Sequence, residues 1–260
     1  MTARPCPTAL GEQDDPGGRV ATFQPVGHSN LSLLVKMGVR FGLIGGSVHR
    51  LGTERRHSEL LPAISTTELP GSFDVSESGH GSDVRSIRAQ VRDDVAAQEF
   101  VVHTPNETGR KDWIGNAARH ARVAVVFAQL DVPGAAQGVH AFLVPIRDED
   151  GVVLPGVEVE DCGDKMGLQG VDNGRLHFHA VRVPRTALLD RFGSVAADGT
   201  YSSLISSPGA RFFIMIGALV KGRICIAGAG LAVARNALTI AVRWGSSSDG
   251  SKPAWPWTRP

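Results

Sequence analysis

Two short segments carry most of the chemical promise in this chain: Ser76-Glu77-Ser78-Gly79-His80-Gly81-Ser82-Asp83 and, further along, Lys111-Asp112-Trp113-Ile114-Gly115-Asn116. Glycines at 79 and 81 lack a Cβ, so the backbone there can take strained dihedrals and lie close against a ring. Hydroxyls at Ser76, Ser78 and Ser82 can donate to or accept from a heterocycle's edge without filling the space the ring needs. Trp113 could supply an aromatic wall. Either segment alone reads as an ordinary turn. Together they suit a flat aromatic cofactor.

Other candidates for chemistry are weaker. Leu176, Phe178 and Ala180 alternate with His177, His179 and Val181, as in a strand with one buried face. The two histidines could share a metal on the exposed face, but no third ligand of suitable spacing accompanies them, so a solvated face and no metal centre are expected. The three cysteines, Cys6, Cys162 and Cys225, are far apart with no CxxC pair, and read as reduced thiols. Ile224 to Leu231 imitates a dinucleotide-binding glycine loop. Val233 stands in place of the third glycine, and a small-residue patch for close helix packing is the simpler reading.

Composition narrows the classes further. Lys+Arg 27 against Asp+Glu 26 leaves a formal charge of +1 in 260 residues, so no basic stripe argues for nucleic acid. The N-terminus has no apolar core of a secretory signal, and Thr258-Arg259-Pro260 is not a peroxisomal address, so a cytoplasmic location is expected. The apolar stretch Phe212 to Ala234 is interrupted by Lys221 and Arg223, which predicts a buried helix and no membrane span.

These groups need elements to hold them. Residues 1–29 have no periodicity and predict an irregular leader. Leu33, Leu34, Met37, Phe41 and Ile44 predict a helix starting at Asn30 and kinked or ended at Gly45-Gly46, followed by a second from Thr53 toward Leu61, stopped by Pro62. Strand texture appears at Glu99–His103, Arg122–Leu130, Val139–Ile146, Val157–Glu160 and Arg175–Val183. Helix returns from Ala210 to Trp244. The expected fold class is therefore α+β: a helical part at 30–67, a mostly antiparallel β-barrel-like domain at 68–185, the first helices of a C-terminal bundle at 186–244, and an irregular tail at 245–260.

Read in order, several segments resemble the acyl-CoA oxidase branch of the flavin-dependent acyl-CoA dehydrogenase superfamily. They are Val35-Lys36-Met37-Gly38-Val39, ESGHGS at 77–82, WIGNA at 113–117, GVHAFLVPIR at 138–147, GVDNG at 170–174, Val183-Pro184-Arg185, and Asp198-Gly199-Thr200-Tyr201. The resemblance implies oxidation of fatty acyl-CoA to trans-2-enoyl-CoA, with O2 reduced to H2O2, in fatty acid β-oxidation. It implies FAD held around Ser76, Gly79, Trp113, Ile114 and Gly115, and acyl-CoA near Gly81 and Ser82. Ser76 stands where the family commonly has threonine, and Gly115 where the dehydrogenases usually carry a hydroxyl residue. It further implies a homo-oligomer in the complete protein and a glutamate base beyond this chain, so it assigns no catalytic residue within it. The chain then looks like a fragment, incomplete at both ends by truncation or a shifted reading frame; the alternative is a non-catalytic flavin- or acyl-CoA-binding remnant or partner subunit.

Overall fold

In the computed structural model, residues 16–247 are described. Helix α1 runs over Pro16–Ser29, where an irregular leader was expected. Its stabilising partner is a helix far downstream, which local periodicity cannot reveal; residues 1–15 of that leader, Cys6 among them, lie outside the described residues. Asn30 then caps α2, Leu31–Met37, its side-chain oxygen accepting from the Leu33 backbone N–H at 3.0 Å. The chain stays helical through a π-helical stretch, Gly38–Gly45, and α3, Gly46–Leu51. The glycine pair therefore neither ends nor breaks the helix: Gly45 and Gly46 hold φ of −57° and −62°, ordinary helical values. Leu34, Ile44, Val48 and Leu51 line the buried side, so tertiary packing offsets the glycines' entropy. Helix α4, Glu54–Ser65, likewise runs past Pro62 for one turn, and its end is closed by Thr66 N–H donating to the Pro62 carbonyl at 3.0 Å.

Downstream the structure is mostly strand, and it bears out the α+β class, with N-terminal helices against a curled half-barrel sheet. Its long centre is β5, Val123–Val132, paired antiparallel with β6, Ala135–Pro145. The other edge of β5 is shared. β1, Gly71–Asp74, runs parallel along residues 123–126, and β2, Gln90–Asp94, runs parallel along residues 129–131. Beyond β2 lie β3, Glu99–His103, and β9, Val181–Pro184, both antiparallel. A second sheet has the order β4-β8-β7, from Lys111–Gly115, Asn173–Phe178 and Val157–Asp161. The pairing is mostly antiparallel, as expected; the exceptions are on β5, where β1 and β2 run parallel along one edge, separated by an excursion of the chain. The strand expected over 175–183 is split by Ala180, whose φ is +52°.

Between the sheets, phenylalanines fill the core. Phe100 meets Phe142 edge-on at 5.3 Å, and Phe73 tilts against Phe127 at 5.0 Å. Burying each such side chain contributes roughly 1.5–3 kcal/mol, and Phe142→Ala would cost about 3–5 kcal/mol. A short ribbon of β10, Ser194–Val195, and β11, Tyr201–Ser202, follows.

Two helices end the described chain: α5, Pro208–Ile216, and α6, Ala218–Ser247. Helix α6 buries a narrow strip, Cys225, Ala229 and Ala232. It lies so close to α1 that a Cβ on Gly27 would sit 3.3 Å from the Ala232 Cβ. Gly228 and Gly230 are inside this helix, with no strand before them; the close approach is made at Gly27, while a Cβ on Gly230 would meet nothing within 4 Å. The expectation of a buried helix is corrected: Val220, Ile224, Ile226, Leu231, Leu238, Ile240, Val242 and Trp244 are exposed. By length and composition alone, the 25 residues Gly222–Ser246 could cross a bilayer, as could the 21 residues Leu31–Leu51. Among the described residues α6 packs on α1 and on the π-helical stretch, and no C-terminal bundle forms around it.

Candidate functional site

Strand β1 stops at Asp74, and the chain leaves the sheet until Gln90, carrying the serine- and glycine-rich segment out over the edge of β5. That excursion docks on the start of β4. Ser78 N–H donates to the Arg110 carbonyl at 3.0 Å, Gly79 N–H to the Thr108 carbonyl at 2.9 Å, and Asp112 N–H to the Ser76 carbonyl at 3.2 Å. The Ser76 hydroxyl donates to the Asp112 carbonyl at 2.9 Å. The two segments singled out by their residue types are therefore paired side by side.

A buried ion pair anchors them. Glu77 and Lys111 have fully buried side chains and meet at 2.9 Å. Glu77 also accepts the Arg88 and Ala89 backbone N–H groups at 2.7 and 3.0 Å, while Lys111 donates to the Phe127 carbonyl at 2.7 Å. Burial pushes the Lys111 ammonium below its usual range, and the Glu77 carboxylate opposes that shift. Nearby, burial pushes the Asp74 carboxyl up to about 7, against the Ser72 hydroxyl and the Lys111 charge. Neither Asp74 oxygen has a partner in hydrogen-bonding geometry among the described residues.

The glycines of the excursion have different reasons for being small. A Cβ on Gly79 would lie 2.7 Å from the Thr108 Cβ, so packing within the protein explains it. A Cβ on Gly81 would meet nothing within 4 Å, which leaves that end open, next to the exposed Ser82. Neither glycine takes the left-handed backbone. The left-handed backbone belongs instead to two other residues. Trp113 has φ +61° and Asn116 φ +68°, a conformation asparagine visits readily and a bulky tryptophan takes only where its surroundings enforce it.

Register explains Trp113. The pairing of β4 with β8 shifts between Lys111 and Ile114, and this bulge turns the indole outward, 56% exposed. Asp112 holds the bulge, accepting from the Trp113 N–H at 2.9 Å and from the Arg175 guanidinium at 3.1 Å. Asn173 donates to the Trp113 carbonyl at 3.0 Å. Ile114 is buried just beneath. Gly115 sits where a Cβ would press on Val39 at 3.1 Å and touch Val171 at 3.8 Å.

Other segments of the resemblance converge on the same turn. Asp172 accepts the backbone N–H groups of Arg119 and His120 at 3.0 and 3.1 Å, pairs with Lys36 from α2, and lies 2.9 Å from His120 Nδ1. Burial alone would raise its carboxyl, but the hydrogen bonds from Lys36 and His120 win and hold it down at about 2. The Arg147 guanidinium donates to the carbonyls of Ala117, Ala118 and Ala121 at 2.9, 2.8 and 2.7 Å. VKMGV, WIGNA, GVDNG and the end of GVHAFLVPIR thus share one region. Lys36, Asp112, Arg147 and Asp172 position it; each lies inside a segment already singled out, but nothing local to the segment says which distant partner the charge meets.

Comparison with known proteins points to one family. Residues 72–181 match the family model described as acyl-CoA dehydrogenase, middle domain. Acyl-coenzyme A oxidase 2, peroxisomal, of Arabidopsis thaliana is 44% identical over 238 residues, covering 89% of this chain and 34% of that protein. Acyl-CoA oxidase 3 from Yarrowia lipolytica superposes with a TM-score of 0.81 at 29% identity, over 94% of this chain and 35% of that one. Acyl-CoA oxidase 2 of Caenorhabditis elegans, solved bound with FAD, ascaroside-CoA and ATP, gives 0.67 at 28% identity, over 85% of this chain and 34% of that one. This chain spans about a third of the length of the relatives it matches. Several of those relatives are named as peroxisomal, which overturns the expected cytoplasmic location. An address read at a terminus cannot be judged from a third of a protein.

Proposed function

Because this chain belongs to the acyl-CoA oxidase family, we propose that it is the flavin- and acyl-CoA-binding portion of an enzyme that oxidises fatty acyl-CoA to trans-2-enoyl-CoA. One observation carries the reading: the Ser76 and Trp113 segments are joined by the hydrogen bond from the Ser76 hydroxyl to the Asp112 carbonyl at 2.9 Å, with the indole turned outward beside it.

The residues present fit FAD. Ser76, Trp113 and Gly115 would hold it, with Gly79 packed on Thr108 and Ile114 buried beneath shaping the two turns, and Gly81 and Ser82 at the open end would lie along the acyl-CoA. When bound, the flavin accepts a hydride from the substrate's β-carbon and passes the electrons to O2, giving H2O2. The Ser76 hydroxyl directs its proton to Asp112 and keeps lone pairs to accept from a ligand N–H. Trp113, turned outward at the bulge, offers an exposed flat face for stacking. Gly115, wedged against Val39, keeps the turn close to the helical part.

Taking the α-proton requires a carboxylate free to face the substrate. Glu77 does not meet that requirement, since both its oxygens are engaged with Lys111 and two backbone N–H groups. This supports a base supplied from outside this chain, with turnover belonging to a longer protein, and it favours binding without catalysis by this chain alone. The peroxisomal names of the relatives support a peroxisomal setting.

Titrating the purified chain with FAD and following flavin fluorescence tests the reading. Saturable quenching, weakened in Ser76→Val, is expected, with no acyl-CoA-dependent peroxide. Unchanged fluorescence would remove the flavin assignment, and peroxide formation would show that the base has been misplaced.

A further inference from the structure

On the opposite wall of the β4-β8-β7 sheet from its buried side chains, the geometry points to a second site: Glu158, His177 and His179 bind a divalent transition-metal ion of the zinc class. Strand alternation turns Leu176 and Phe178 into the core and sends His177 and His179 outward. What sequence spacing could not supply is the third ligand. It arrives across the ladder, because β7 pairs antiparallel with β8 in a register that sets Glu158 directly opposite His177.

One ligand atom from each of the three side chains lies within 4.8 Å of the others. The His179 Nε2 to Glu158 carboxylate separation is already 3.1 Å, close to the roughly 3.3 Å edge of a tetrahedron with ligands at about 2.0–2.1 Å. His177 Nε2 lies 3.1 Å from the Thr104 carbonyl. As donor to that carbonyl it leaves the lone pair on Nδ1, and the bond fixes the ring as outer hydrogen bonds do for metal-bound histidines.

The two imidazole centroids stand 4.3 Å apart, near enough for one ion to be shared between the rings. A cavity of about 40 Å³ beside His177, lined also by Glu107, Arg110, Glu158, Glu160 and Arg175, has room for a water next to two of the three ligands. The guanidiniums there are already matched, Arg110 to Glu107 at 3.0 Å and Arg175 to Glu160 at 3.8 Å, so they leave the Glu158 charge for the ion. Two nitrogens and one carboxylate select zinc, copper or nickel over magnesium or calcium. Thr104 follows β3 and accepts from His177, so an ion here would tie the second sheet to the first at their seam.

Isothermal titration of the whole chain with zinc chloride tests the site. One equivalent is expected to bind, at least about tenfold more weakly in His179→Gln and in Glu158→Gln, with His28→Gln on α1 unchanged. Both altered side chains are solvent-exposed, so circular dichroism should match wild type. Cobalt(II) should give visible d–d absorption that the same two variants lose. Absence of one-equivalent zinc binding, or equal binding in His179→Gln and wild type, would overturn the assignment.

Discussion

Lys111 reaches the Phe127 carbonyl at 2.7 Å, at the point where β5 has no strand beside it on that edge. β1 covers β5 up to Val126 and β2 resumes at Gln129. The ammonium thus takes the place of a missing ladder bond, and Glu77 supplies its countercharge while capping the start of β2. The excursion that carries the candidate flavin residues exists because this pair closes the hole it leaves.

Lys111→Met should therefore destabilise the chain by about 3–5 kcal/mol, since it strands a buried carboxylate. Adding Glu77→Gln should recover part of that loss, because no uncompensated charge then stays inside. Urea unfolding of the two singles and the double gives the coupling; a near-neutral Lys111→Met would refute this account.

Trp113→Ala separates binding from folding. The indole is exposed, so stability should change by no more than about 0.5 kcal/mol. FAD affinity should fall roughly 2- to 10-fold through the lost stacking surface. Gly115→Trp would weaken FAD too, but it collides with Val39 and would unsettle the fold as well. Equal FAD affinity in wild type and Trp113→Ala would place the ring elsewhere.

Asp74 makes stability depend on pH. Its folded pKa, about 7, is above the usual carboxylate value, so its favourable contribution is complete below pH about 4 and is lost as pH rises through about 7. Asp74→Asn should flatten that slope and stabilise the chain at pH about 8 by on the order of 2–4 kcal/mol. Thermal melts at intervals across this range check it; identical slopes for the two proteins would mean that Asp74 is not the group responsible.

Leu238, Ile240 and Trp244 are exposed on the last turns of α6, C-terminal to its buried Cys225, Ala229 and Ala232. Large apolar side chains left in water like these promote association. The triple change Leu238→Glu, Ile240→Lys and Trp244→Ser should lower the mass seen by light scattering while far-ultraviolet circular dichroism stays the same. A wild-type chain that is already monomeric would contradict the prediction.

Much of this protein was readable along the chain, because local periodicity and turn chemistry act over a few residues. The Asn30 cap, β3, the alternation around His177 and the serine- and glycine-rich segment all announce themselves that way. Their resemblance to acyl-CoA oxidases was likewise carried by short runs of residues. What only the tertiary structure decided were relations between distant segments: α1 lying on α6, β1 and β2 sharing one edge of β5, and Gly79 set by Thr108 and not by a ligand. Glu158 opposite His177 and Lys36 against Asp172 belong with them. Pairing register and buried charge are properties of which segments meet, and no window of sequence contains both partners.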